Sequence, residues 1–251
     1  MQTLKTLIIM IGVAVLTACA TGNERFGNSD TVELARAKAH TDLGAAYLQQ
    51  NKYEIALEEF KLAIESDPKY SLAYNGLGLV YSALNDDVKA DASFKQAVTI
   101  DPQNSESQNN YGSFLCARKR YDESIPHFLA AVKNPLYATP TIAYTNAGIC
   151  LVRKGDINNA EAYFVRALQI EPLNHTAAYY LSEIQFKRGD TLGAKKTLQN
   201  ALISNPGPET LWLGIKIERI LGDKDSEASY ALQLRQQYPN SEQTRLLLSG
   251  K

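Results

Sequence analysis

Apolar residues in this chain recur three and four positions apart, in runs of about three turns separated by short polar segments rich in Asn, Asp and Gly. That spacing stripes one face of a helix, so it predicts a succession of amphipathic helices joined by tight turns. The runs also repeat at a longer interval. In residues 71–104 the marked positions are Tyr74, Leu77, Gly78, Tyr81, Ala90, Phe94, Ala97 and Pro102. Moving back 34 residues, the same offsets hold His40, Leu43, Gly44, Tyr47, Ala56, Phe60, Ala63 and Pro68. They continue as Tyr111, Gly112, Leu115, Ser124, Phe128 and Ala131, and then as Tyr144, Ala147, Gly148, Leu151, Ala160, Phe164, Ala167 and Pro172. A fifth copy keeps Leu181, Ser182, Ala194, Leu198, Ala201 and Pro206. In a weaker sixth, Trp212, Ile215, Ala228 and Leu232 fit, Lys216 replaces the small residue, and Pro239 arrives a residue early.

Each offset has a physical reason. Gly44, Gly78, Gly112, Gly148 and Ser182 are small where the two helices of a hairpin cross. A helical glycine costs up to ~1 kcal/mol relative to alanine, so glycine kept at one offset means that close approach outweighs propensity. Alanines fill the facing position, and Phe60, Phe94, Phe128 and Phe164 supply bulk between neighbours. Prolines end each second helix. The turns inside the hairpins carry Asn51-Lys52, Asn85-Asp86-Asp87, Gly155-Asp156, Gly189-Asp190 and Gly222-Asp223. A fixed period of this length with these residues resembles the tetratricopeptide (TPR) repeat. The resemblance implies an all-α, right-handed superhelical solenoid of about six helix-turn-helix units, in which each unit contacts mainly its neighbours. The units are expected at about 37–70, 71–104, 105–140, 141–174, 175–208 and 209–242, within a domain spanning 30–251.

The third unit is two residues longer, with Pro135 and Pro140 where one proline would stand, which predicts a local loop. Pro126 is expected near the start of that unit's second helix, where a missing N–H is tolerated.

The N-terminus is an address. One charge, Lys5, precedes the apolar run 7–16, too short to span a bilayer comfortably, in the pattern of a secretory signal peptide over 1–18. Its end, Leu16-Thr17-Ala18-Cys19, resembles the bacterial lipobox. That resemblance implies cleavage before Cys19 and acylation of its thiol and new amine. With Ala20 next, it also implies sorting to the outer membrane, facing the periplasm. An ordinary cleaved signal or a short uncleaved anchor is the alternative. Residues 19–29 read as a lipidated flexible tether, and Asp30 followed by Glu33 predicts the start of the first helix.

Composition narrows the chemistry. Of 251 residues 45% are hydrophobic and the formal net charge is −1, so the chain is folded in type and offers nucleic acid no basic field. His40, His127 and His175 stand apart from other metal-ligating residues, and no phosphate loop or nucleophile elbow occurs. No cofactor, metal, small-molecule substrate or catalytic residue is expected, and the chain does not read as an enzyme. Cys116 and Cys150 fall on the first helices of adjacent units, which predicts a disulfide in an oxidising compartment; two buried thiols are the alternative.

TPR structures imply that the first helix of each unit lines the concave side. Its inward positions hold Lys38, Thr41, Ala45, Leu48 and Gln49, then Leu72, Asn75, Leu79, Ser82 and Ala83, then Glu106, Asn109, Ser113, Cys116 and Ala117. Ala45, Gly76 and Glu106 stand where a chaperone-tail clamp wants Asn, Asn and Lys, so the groove is of another kind. Leu48, Leu72 and Leu79 beside Asn75 are the first candidate partner surface, and Tyr179 with Phe186 the second. Burial of these leucines between repeats is the competing expectation.

The segment 211–235, LWLGIKIERILGDKDSEASYALQLR, together with Tyr238-Pro239-Asn240-Ser241, the lipobox and the overall length, resembles type IV pilus biogenesis lipoproteins of the PilF/PilW type. The resemblance implies a pilotin: an outer-membrane lipoprotein that binds the type IV pilus secretin and supports its localisation and multimerisation. A TPR lipoprotein regulating a peptidoglycan synthase or hydrolase is the alternative, and a periplasmic enzyme the third.

Overall fold

The computed structural model describes residues 25–203 and 206–250. The signal peptide, Cys19 and the tether as far as residue 24 lie outside the described residues. Helices pair in chain order: α1 (Arg25–Gln49) with α2 (Tyr53–Ser66), α3 (Ser71–Ala83) with α4 (Asp87–Ile100), and α5 (Ser105–Ala117) with α6 (Tyr121–Lys133). The later pairs are α7 (Pro140–Lys154) with α8 (Ile157–Ile170), α9 (His175–Lys187) with α10 (Thr191–Leu202), and α11 (Pro208–Leu221) with α12 (Lys224–Gln237). A short α13 (Glu242–Leu248) follows. Among the described residues there are no strands, and the architecture is the expected TPR solenoid.

Every hairpin turns through one residue in the left-handed region: Asn51, Asn85, Lys119, Gly155, Gly189 and Gly222, with φ from 58° to 90°. Asparagine and glycine tolerate that conformation and lysine rarely does. In four of these six hairpins the next residue is an aspartate that caps the second helix. Side chains of Asp86, Asp156, Asp190 and Asp223 accept hydrogen bonds from backbone N–H groups at 3.2, 3.3, 2.9 and 3.1 Å. Each such cap is worth about 1 kcal/mol.

The core is a column of phenylalanines seated on glycines. Phe60, Phe94, Phe128 and Phe164 are at most 2% exposed. A Cβ placed on Gly78 would lie 2.6 Å from the Phe94 ring, and one on Gly148 2.5 Å from Phe164, closer than any side chain is accommodated. Gly76 meets Phe60 of the preceding unit in the same way, at 2.2 Å, so the ring also sets the distance between repeats. Leu77 is 8% exposed against Ala56 and Phe60, whereas the equivalent Leu43 is 47% exposed because no unit precedes it.

Four expectations need correction. Helix α1 begins at Arg25, so Asp30 lies inside it and the last residues of the expected tether are helical. Pro126 is the sixth residue of α6, beyond the turn whose N–H groups are free, so it removes one helical hydrogen bond; the helix still runs on to Lys133. The sixth unit is shifted by one residue, to 208–241. Its turn glycine Gly222, cap Asp223 and Pro239 then match the other repeats, and the previous unit is one residue short. In that register Leu211, Ile215, Ala231 and Leu234 form the buried cluster, while Ala228 and Leu232 face solvent, Leu232 at 50% exposure. Ile215 thus occupies the glycine position and Ala231 the phenylalanine position. The same space is filled with the bulk on the opposite helix.

Helix α13 was not expected. Ser241 caps it by accepting from Thr244 N–H at 3.1 Å, and Leu247 covers the Leu211/Ile215 cluster, closing an end that a solenoid would otherwise leave open.

His127 gives the fold a pH dependence. Its Nδ1 lies 2.7 Å from Gln108 Oε1, and its ring is 4.5 Å from that of Tyr111. Burial lowers its pKa, opposed in smaller measure by the Glu123 carboxylate. The unfolded chain therefore binds a proton near pH ~6.5 that the folded one resists. Stability should be complete above that pH and fall as the pH drops through it. The urea midpoint should decline from pH 7 to pH 5, and decline less in His127→Gln. An equal decline in both proteins would contradict this account. The exposed carboxylates with lowered pKa, such as Asp86 and Asp156, titrate below this window.

Candidate functional site

The leucines expected in the groove come together. Leu48 at the end of α1 and Leu72 and Leu79 on α3 line one cleft of about 300 Å³, with Thr41, Asn75 and Glu106 also in its wall. All three leucines are half-buried. Leu48 leans on the Ala56/Phe60 cluster and Leu79 on the Phe94/Tyr111 cluster, so these two leucines are partly taken up by the core. Leu48 and Leu79 thus divide their surface between core and cleft, and Leu72 lines the cleft.

Asn75 is 5% exposed and forms the floor rather than the rim. Its Oδ1 accepts from Asn110 Nδ2 at 3.3 Å. One unit on, Asn109 Oδ1 accepts from Asn146 Nδ2 at 3.1 Å, so carboxamides bridge α3 to α5 and α5 to α7 along the concave face. Asn110 and Asn146 are absent from the expected inward set. The signal was their shared place, the sixth residue of successive repeat units.

Tyr179 and Phe186 sit elsewhere, on α9. Both are half-buried against Ala178, Leu198, Leu213 and Ile217. The Lys216 ammonium lies over the Phe186 ring at 5.4 Å, and burial lowers the lysine's pKa. Burial, reinforced by Glu183, pushes the Tyr179 hydroxyl up to about 12. Much of this pair's surface is committed to holding repeats five and six together.

Cys116 on α5 and Cys150 on α7 are bonded as a disulfide, with Cα atoms 5.7 Å apart. The three histidines are engaged in hydrogen bonds to Glu59, Gln108 and the Asn200 carbonyl. Among the described residues no group of His, Cys, Asp and Glu is placed to hold a metal, and no helix is long and apolar enough to cross a membrane. What the site offers is a surface: an apolar cleft, a row of carboxamides and an acidic residue between them.

Family models described as TPR repeat and tetratricopeptide repeat match residues 44–85, 72–104 and 151–215. The type IV pilus assembly protein PilF of Pseudomonas aeruginosa is 28% identical over 244 residues, 96% of each chain. A solved structure of that PilF superimposes with a TM-score of 0.80 over 87% of this chain and 99% of its own, at 27% identity. The crystal structure of PilW, described as a widely conserved type IV pilus biogenesis factor, is 33% identical, with a TM-score of 0.73 over 84% of this chain and 98% of that one. Repeat pattern, solenoid and similarity along nearly the whole length agree, and the chain belongs to the family of TPR proteins of type IV pilus biogenesis represented by PilF and PilW.

Proposed function

We propose that the chain is a pilotin, an outer-membrane lipoprotein that binds the type IV pilus secretin and supports its localisation and multimerisation. Two parts divide the work. Acyl chains on Cys19 would hold the protein at the membrane, each buried methylene adding ~0.8 kcal/mol. The solenoid would present a rigid, preformed surface to a secretin segment. Tethering raises the effective concentration of bound secretin at the membrane and couples delivery to assembly without chemistry.

The observation that carries this reading is the leucine cleft in a chain similar to pilus biogenesis proteins along almost its full length. Exposed apolar surface on a folded groove has a partner as its usual reason. The Leu48→Asp/Leu72→Asp/Leu79→Asp variant should lose secretin co-purification from envelope extracts while its far-UV circular dichroism stays helical. Leu72→Asp alone, which disturbs the core least, should weaken it. Undiminished co-purification by both folded variants would place the secretin elsewhere.

A further inference from the structure

The two extra residues of the third repeat build something. The linker between α6 and α7, residues 134–139, stands off the α5 N-terminus and encloses with it a cleft of about 760 Å³. Its lining includes Asp101, Glu106, the carboxamides of Asn109, Asn110 and Asn134, and Leu136, which is 88% exposed on the rim. Glu106 lines this cleft and the leucine cleft alike, so the two adjoin at that residue.

The charge of this track is one-sided. No lysine or arginine lines either cleft. The described residues include no ion-pair partner for Glu106 or Asp101, although eleven pairs of Lys or Arg with a carboxylate hold charges elsewhere. The N-termini of α5 and α7 each bring about half a positive charge, which two carboxylates outweigh. Carboxamides both donate and accept, which suits the main chain of an extended peptide.

We infer that the two clefts form one track for an extended polypeptide segment. An apolar side chain of that segment enters the leucine cleft, its backbone lies along the asparagines, and a lysine or arginine pairs with Glu106 and Asp101. The inference rests on the groove being the partner surface, as proposed above, and adds the chemistry of what fits it.

The probe is a phage-displayed library of random twelve-residue peptides, selected on the soluble chain (residues 20–251) and counted in parallel on Glu106→Gln/Asp101→Asn. Both substitutions keep shape and hydrogen-bond acceptors while removing charge. Enriched peptides should carry a lysine or arginine at a fixed spacing from an apolar residue. Synthetic copies should bind the variant about fivefold more weakly, a gap that closes at high salt. Enrichment without a basic position, equal binding to both proteins, or no enrichment would overturn the inference. Secretin co-purification separates the two readings. Secretin held equally by wild type and by Glu106→Gln/Asp101→Asn leaves the pilotin reading standing and removes this one. Basic peptides selected by a chain that never retains secretin do the reverse.

Discussion

Phe94→Ala will cost about 3–5 kcal/mol of unfolding free energy, the range for emptying a buried phenylalanine site. The ring is 1% exposed, stacks on Tyr111 and meets the tilted ring of Phe114 in the next repeat, at 5.8 and 5.4 Å, so its loss opens a cavity within one unit and loosens the seam to the following one. Gly78→Ile alone will also destabilise, by about 1–3 kcal/mol, because its Cβ would fall 2.6 Å from the same ring. The double variant is the informative one. Repeat six already builds its core with Ile215 in the glycine position and Ala231 in the phenylalanine position, both buried. Gly78→Ile/Phe94→Ala should therefore be more stable than the sum of the single losses predicts, by about 1 kcal/mol or more. Urea unfolding of the four proteins measures this, and strict additivity would show that the two packings are not interchangeable.

Removing the disulfide should cost nearly as much. Cys116 and Cys150 are separated by 34 positions and join α5 to α7, the two helices that carry the asparagine bridge. Loop-closure entropy for a ring of that size gives close to ~4 kcal/mol, with less where the unfolded chain keeps residual structure. Cys116→Ala/Cys150→Ala, or reductant on the wild type, should lower the urea midpoint substantially. Alkylation of the denatured, unreduced chain should label neither cysteine. Two labels without reductant, or a midpoint indifferent to reductant, would contradict the pairing.

The fold was legible because its restraints are local and repeated. Glycine under phenylalanine, aspartate after a left-handed turn and proline after the second helix each leave a mark at a fixed offset. What could not be read had its mark overwritten. The turn of repeat three is carried by Lys119, a residue with no preference for positive φ, so nothing in the sequence announces it. Repeat six exchanged the sizes of its two key residues, and matching to the usual offsets favoured Ala228 and Leu232 over the buried Ala231 and Leu234. The early Pro239 was the correct guide to register. Helix α13 belongs to no repeat, and only its Ser241 cap signalled it.

The candidate site was legible in outline. Inward offsets brought Leu48, Leu72 and Leu79 to one cleft, because superhelical geometry follows from the repeat. They did not foretell that Asn75 would be spent on Asn110, since that pairing depends on the stagger between α3 and α5. Nor could they show that the long third repeat encloses a second cleft, because a two-residue insertion has no pattern of its own. Tyr179 and Phe186 qualified as apolar residues at inward positions, yet their rings are largely occupied by the seam between repeats five and six.

As proposed above, the solenoid serves the pilus through its leucine cleft while anchored at the outer membrane. The most direct measurement is complementation of a deletion strain with the full chain, wild type or Leu48→Asp/Leu72→Asp/Leu79→Asp, followed by quantifying secretin multimers in the outer-membrane fraction. The wild type should restore multimers and twitching motility, and the variant should lose both at equal protein level. A deletion strain that keeps its multimers, or a folded variant that restores them fully, would contradict it.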